Sequence, residues 1–192
     1  MPLYIGNTKF YGGGPGYLGP AYAPFLPRPN PLSSTGNNTY DFDLSPPSPE
    51  QRRALESALT REERDVLLNH GTEQPFCGVL LDNKKQGVYC CKLCGLPLFT
   101  ANQKFESGTG WPSFTAPFAE KHLTLVVDDS LGMRRTEIRC ARCGSHQGHV
   151  FPDGPPPTHQ RYCINSVSLD FVANGQKLPD KLGRGEGSKA LV

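Results

Sequence analysis

No run of about 18 apolar residues occurs in the 192-residue chain, so nothing in it reads as a membrane-spanning helix. Blocks of like charge are missing too: the formal net charge is +2, and charged residues nowhere gather beyond an ordinary surface. Without a basic stripe carrying interleaved aromatics, nucleic acid is a poor fit as a partner. The opening MPLYIGNTKFYGGGPGYLGP has no basic segment followed by a continuous apolar core, and no Arg-rich amphipathic pattern. It reads as neither a secretory signal nor a transit peptide, which leaves the cytoplasm as the expected compartment. Tryptophan occurs once, at Trp111, and no internal repeat is visible.

The length suits one domain with a sizeable core and a tail. Residues 1–47 are rich in Gly, Pro, Asn, Ser and Tyr without helical or strand period, and read as a disordered extension. Structure is expected from SPEQRRALESAL, where Ser48 can cap a helix, Pro49 fits its first position, and Leu55 and Leu59 fall on one face. In TREERDVLLNHG, Thr60 and Glu63 have capping-box spacing, Val66 and Leu67 give an apolar face, and Gly71 reads as the stop. From Gly78 onward the helical period disappears. GVLL, GVYC, HLTLVVDD, MRRTEIRC and INSVSLDFV are strand candidates, and FPDGPPP is a loop. The expected domain is therefore mainly β, covers residues 48–180, and ends in a flexible tail over 181–192.

Seven cysteines stand at positions 77, 90, 91, 94, 140, 143 and 163. Without a secretory signal, metal ligation and redox chemistry are stronger readings than a static disulfide framework. Cys91-Lys92-Leu93-Cys94-Gly95 and Cys140-Ala141-Arg142-Cys143-Gly144 repeat one C-x-x-C-G knuckle at the ends of candidate strands. A two-residue spacer lets both thiolates face one ion, and two knuckles complete a tetrahedral zinc site with four sulfur ligands. Such a closed site holds structure and does not catalyse. A pair of redox dithiols is the competing reading, though no thioredoxin-like βαβ context accompanies it. Cys90 is one residue out of register with Cys91 and reads as a small buried hydrophobe.

Cys163 is placed differently. Arg161 and Asn165 lie two residues either side, on the same face of a strand, where a guanidinium favours a thiolate. His146 and His149 in GSHQGHVFPDGPP add a base, so the set resembles a Cys–His–Asn constellation. In SGTGWPSF, Trp111 sits on a Gly- and Pro-bounded turn suited to lining a small apolar pocket.

KFESGTGWPSF, RTEIRCARCGSHQGHVFPDGPPPTHQRYCINSVSLDF and the two knuckles together closely resemble the methionine-R-sulfoxide reductases of the B type, from about Ser48 to about Leu178. The resemblance implies two antiparallel β-sheets (a β-tent) with short N-terminal helices, stapled by one structural zinc ion on Cys91, Cys94, Cys140 and Cys143. It implies Cys163 as nucleophile, Trp111 against the substrate's S-methyl group, and His146, His149 and Asn165 around the sulfoxide oxygen. Glu137 and Arg161 match charged residues near the site. A monomer recycled by thioredoxin or a similar dithiol, acting on oxidised methionine in proteins, completes the expectation.

Many members of that family carry a resolving cysteine in the turn before the tryptophan, where this chain has Thr109. Cys77, in GTEQPFCGV, is the candidate replacement; Cys90, or a reductant acting directly on Cys163, are the alternatives. A zinc-stapled β module that binds a peptide and catalyses nothing is the competing class. It has no need of Cys163 beside Arg161, Asn165 and two histidines.

Overall fold

The computed structural model describes residues 41–188. The expected disorder of residues 1–40 and 189–192 lies outside the described residues. None of the described helices is long and apolar enough to cross a membrane.

Two helices open the body: α1 (Pro49–Ser57) and α2 (Arg61–Asn69). Both start as the sequence dictates. The Ser48 and Thr60 side chains accept from the backbone N–H groups of Gln51 and Glu63, whose own side chains return the bond. Val66 and Leu67 of α2 are buried, while Leu55 and Leu59 are partly buried against the core. The stop differs from expectation. His70, not Gly71, takes the left-handed conformation, with φ 58°. His is among the residues that tolerate this region, and its ring gains a carboxylate partner there.

Nine strands follow: β1 (Gly87–Cys91), β2 (Pro97–Thr100), β3 (Lys104–Phe105), β4 (Ser113–Phe114), β5 (Leu123–Asp128), β6 (Arg135–Cys140), β7 (His146–Phe151), β8 (Arg161–Ile164) and β9 (Leu169–Ala173). They form two antiparallel sheets in the orders β2-β1-β9 and β3-β4-β8-β7-β6-β5. The fold is thus mainly β, two sheets with two short helices. Aromatic rings join the sheets. Phe99 of β2 stacks on Phe114 of β4 at 4.4 Å, and Tyr89 of β1 meets Phe114 edge-on at 5.0 Å. All three rings are buried, so removing one leaves a cavity costing about 3–5 kcal/mol.

Two strand expectations need correction. Residues 78–81 are a turn, closed by Leu81 N–H on the Gly78 carbonyl, and Val79 is 89% exposed. The long INSVSLDFV strand is broken at Ser166–Ser168 by a single 3₁₀ turn, because the Glu73 carboxylate accepts the N–H groups of Ser166 and Val167. A strand not named from the sequence, β7 around His146, lies inside the larger sheet between β8 and β6.

The packed body also runs past the expected 48–180 limits at both ends. Phe42 is buried against Phe118 and His122. Beyond residue 180, Leu182 is buried and Glu186 forms a buried ion pair with Arg142. Arg142 ties both ends to the second knuckle by also donating to the carbonyls of Asp43 and Cys94. A buried guanidinium is tolerated only when saturated with partners in this way.

Candidate active site

Strand register builds the site. Cys163 on β8 lies opposite His149 on β7, which lies opposite Glu137 on β6; on its other flank Cys163 faces Ser113 on β4. Directly opposed residues share a sheet face, so these side chains form one row. Gly148 permits the close approach of β7 to β8, because a Cβ there would lie 2.0 Å from the Cys163 carbonyl oxygen.

A cavity of about 130 Å³ opens over the row, lined by Trp111, Arg135, His149, Phe151, Cys163 and Asn165 among others. Sites for drug-sized ligands run to roughly 300–1,000 Å³. This one suits the end of a single side chain, with aromatic walls and few polar atoms.

Cys163 is half-buried. Burial pushes its thiol up, while the charge of Arg161 and hydrogen bonds from Thr109 and Arg161 pull it back part of the way. Arg161 is held for this by a two-pronged bond to Asp153, both contacts 2.9 Å, and its guanidinium lies 4.6 Å from the centre of the Phe151 ring.

His149 Nε2 is 2.7 Å from Asp128 Oδ2, and Arg135 donates to the same oxygen at 2.7 Å. Burial works against ionising Asp128, but bonds from Ser130, His149 and Arg135 outweigh it and hold the carboxyl well below the usual carboxylate range. An ionised Asp128 only accepts, so His149 donates from Nε2 and Nδ1 is the nitrogen available for proton exchange. Burial keeps His149 below its ordinary pKa, with Asp128 partly compensating.

His146 is fully buried, its ring edge-on to that of His149 at 5.4 Å. Its Nδ1 is 2.7 Å from Glu137 Oε1, which His70 Nδ1 also reaches at 2.7 Å, and its Nε2 has no hydrogen-bond partner. Burial raises the Glu137 carboxyl, yet bonds from Arg139, His146 and His70 bring it to about 2. His70, Glu137 and His146 lie close enough to share an ion, but 2.7 Å contacts are hydrogen bonds. Nitrogen and oxygen ligands about 2.1 Å from a tetrahedral metal stand roughly 3.4 Å apart. Glu137, at the far end of the row, therefore anchors His146 and His70 by hydrogen bonds.

Asn165 lines the cavity, but its amide is committed to backbone. It accepts from Glu73 N–H at 3.1 Å and donates to the Gln147 carbonyl at 3.1 Å. The Trp111 ring N–H donates to the Glu73 carbonyl at 3.1 Å, so one short segment fixes both residues.

The four knuckle cysteines meet elsewhere in the fold. Gly95 and Gly144 take positive φ of 79° and 73°, and each donates its N–H to the first cysteine carbonyl of its knuckle at 2.8 Å. Cys91 and Cys143 sulfurs are 3.7 Å apart, Cys94 and Cys140 sulfurs 3.6 Å. Sulfurs 2.3 Å from a tetrahedral zinc would stand about 3.8 Å apart, so the donor set fits the ion. All four are buried among themselves, Ser145 and Gln147.

A family profile described as the SelR domain matches residues 59–173. The chain is 66% identical over 149 residues to the peptide methionine sulfoxide reductase MsrB of Caulobacter vibrioides (strain NA1000 / CB15N), covering 78% of this chain and 94% of that protein. To the protein of the same name from Xylella fastidiosa (strain M23) it is 62% identical over 147 residues, 77% and 95% of the two chains. To that of Escherichia coli O45:K1 (strain S88 / ExPEC) it is 51% identical over 126 residues, 65% and 92%. The chain belongs to the MsrB family of oxidoreductases.

Within this MsrB fold the structure brings Cys163, Trp111, His149 and Asn165 to one cavity, with Arg161 over the ring of Phe151 at its wall, and the four zinc-ligand candidates to one cluster. His146 and Glu137 do not line that cavity. Cys77 is exposed, and its neighbour Phe76 donates its N–H to the Gly110 carbonyl at 2.8 Å, beside the turn carrying Thr109. Cys90 is fully buried in the central strand of the smaller sheet, where desolvation pushes its thiol far up. Sequence reasoning missed Asp128, Arg135, Thr109 and Glu73. The strand HLTLVVDD ending in a carboxylate, paired with MRRTEIRC, was the available signal for Asp128 and Arg135.

Proposed function

We propose that this chain reduces the R epimer of methionine sulfoxide in proteins, with Cys163 as nucleophile and thioredoxin or a similar dithiol as recycler. The observation that carries the reading is a half-buried thiol beside Arg161 and His149 in a cavity sized for one side-chain end, in a chain of the MsrB family. Trp111 offers an apolar wall for the S-methyl group.

The thiolate of Cys163 attacks the sulfoxide sulfur while the oxygen takes a proton, with His149 as the exchanging group and Asp128 orienting it. Methionine leaves, reduced by two electrons, and Cys163 is left as a sulfenic acid, oxidised by two. The Cys77 thiol then condenses with the sulfenic acid, releasing water and forming a Cys77–Cys163 disulfide. Thioredoxin reopens it by exchange. Exposure of Cys77 and the Phe76–Gly110 bond beside the Thr109 turn support this resolver. The buried, desolvated Cys90 is the weaker candidate. Cys91, Cys94, Cys140 and Cys143 would hold a zinc ion that braces the fold and takes no part in these steps. The protein works as a monomer.

The test is reductant-coupled turnover of the separated R and S sulfoxides with thioredoxin, its reductase and NADPH. Turnover of the R form alone is expected, with peptide mapping giving Cys77–Cys163 after one equivalent of substrate. Activity with dithiothreitol only removes Cys77 from the scheme. Silence with both reductants leaves a peptide-binding module as the better account.

A further inference from the structure

Cys163 has a neighbour that the scheme above does not use. Hydrogen bonding to Thr109 is among the influences that lower the Cys163 pKa. Behind Thr109 stands a line of hydroxyls: Thr109 Oγ1 is 2.8 Å from Ser107 Oγ, Ser107 Oγ is 2.7 Å from Ser113 Oγ, and Ser113 Oγ reaches the Trp111 carbonyl at 3.2 Å. Ser113 is buried and sits directly across from Cys163 on β4, so strand register fixes the far end of the line beside the sulfur. The Thr109 N–H lies 3.4 Å from Ser107 Oγ and ties the turn to the same chain.

We propose that Thr109, backed by Ser107 and Ser113, is a catalytic hydrogen-bonding partner of the Cys163 sulfur, accepting from the thiol and donating to the thiolate. This rests on the reading of Cys163 as nucleophile. A hydroxyl both donates and accepts, so the line has two consistent directions. With Cys163 as a thiol, S–H points to Thr109, Thr109 to Ser107, Ser107 to Ser113, and Ser113 to the Trp111 carbonyl. With Cys163 ionised, each hydroxyl rotates: Ser113 donates to Ser107, Ser107 to Thr109, and Thr109 to the sulfur. Every hydroxyl keeps its own hydrogen. The proton lost by Cys163 leaves through the cavity, because the line ends on a carbonyl that cannot carry it onward. Arg161 supplies charge to the thiolate from its own strand, and Thr109 supplies a directed hydrogen bond from another. Two unlike partners offset the desolvation of a half-buried sulfur.

The experiment compares T109V, T109S and S107A with the wild-type full chain in its zinc-loaded form. Iodoacetamide labelling of Cys163 is followed against pH by peptide mass spectrometry, alongside dithiothreitol-supported turnover. T109V removes the hydroxyl at nearly constant volume. It should shift the Cys163 labelling midpoint up by about one pH unit and slow labelling at neutral pH about tenfold. T109S should stay within about twofold of wild type, with S107A between. A T109V profile that tracks wild type overturns the proposal, as does a T109S profile that falls as far as T109V, which would mean packing alone. C163S run in parallel separates the two readings. Turnover surviving that substitution removes the nucleophile and Thr109's part with it, whereas lost turnover with an unmoved T109V profile overturns Thr109 alone.

Discussion

The cysteine cluster and the Cys163 cavity use the same atom in opposite settings. In the cluster four sulfurs are buried, 3.6–3.7 Å apart in pairs, and face one another. In the cavity one sulfur is half-buried, flanked by a guanidinium and a hydroxyl, with open space on its remaining side. A thiol closed in by other thiols can hold an ion but cannot meet a substrate. A thiol with two polar partners and an open side can do the reverse. The difference lies in the surroundings of the sulfur.

The largest effect expected from breaking this contrast is on the cluster. C140A, or chelation of bound zinc, should remove on the order of 10 kcal/mol of coupled binding and folding, comparable to the whole stability of such a domain. Circular dichroism and metal analysis should report loss of fold and ion together. Retention of the β signal by metal-free C140A would mean that the two sheets hold without the staple.

C163S should give the complementary result. Turnover should fall on the order of a thousandfold or more, with zinc content and the urea midpoint essentially unchanged. Activity near wild type would transfer the chemistry to another thiol, and a large stability loss would make Cys163 a packing residue.

How much of this contrast was legible in the sequence follows from chain distance. Each zinc knuckle is local: two cysteines and a glycine inside five residues declare the geometry, and Gly95 and Gly144 adopt the positive φ that the turn requires. The helix caps at Ser48 and Thr60 were legible for the same reason. The cavity is assembled from β6, β7, β8 and the turn before β4, with Asp128 from β5 behind His149, so its partners are fixed by register across the sheet. Cys163, His149 and Trp111 were singled out by residue pattern, and the family resemblance gave them roles. Asp128, which holds His149, was not, because nothing local marks a strand-end aspartate as the partner of a histidine 21 residues away. The break at Ser166–Ser168 was hidden likewise, since its cause is Glu73, 93 residues from Ser166.

Asp128 gives a sharper, smaller test of the cavity. D128N keeps the shape and removes the charge that orients His149. An amide can also offer its NH₂ to Nε2 and so stabilise the wrong tautomer. Turnover with dithiothreitol should fall roughly 10²-fold, the scale of a misplaced acid–base group, with Cys163 alkylation unchanged. Equal losses in both assays would place Asp128's effect on the nucleophile instead.

The smallest effect separates the two regions by their response to acid. His122 is buried, with Nδ1 on the Pro97 carbonyl at 2.6 Å, and its own carbonyl accepts the N–H of Ala141 inside the second knuckle. Burial lowers its pKa from 6.5 to about 4. A depressed folded-state pKa stabilises fully above the unfolded value, and that contribution is lost as pH falls from 6.5 towards 4. Glu137, held at about 2 against an ordinary 4.5, has the same sign but acts only below 4.5. Urea titrations from pH 8 to pH 5, in excess zinc, therefore read His122 and leave Glu137 silent. Over that range the His122 contribution is roughly 2 kcal/mol, and H122Q should remove that share of the pH dependence. The remaining slope belongs to His146 and His149, which burial also holds below their ordinary values, and to Glu73, whose carboxyl burial pushes up and which acts with the opposite sign. An unchanged slope in H122Q would assign the acid sensitivity to the cavity histidines, and the knuckle end would then be the acid-resistant half of the comparison.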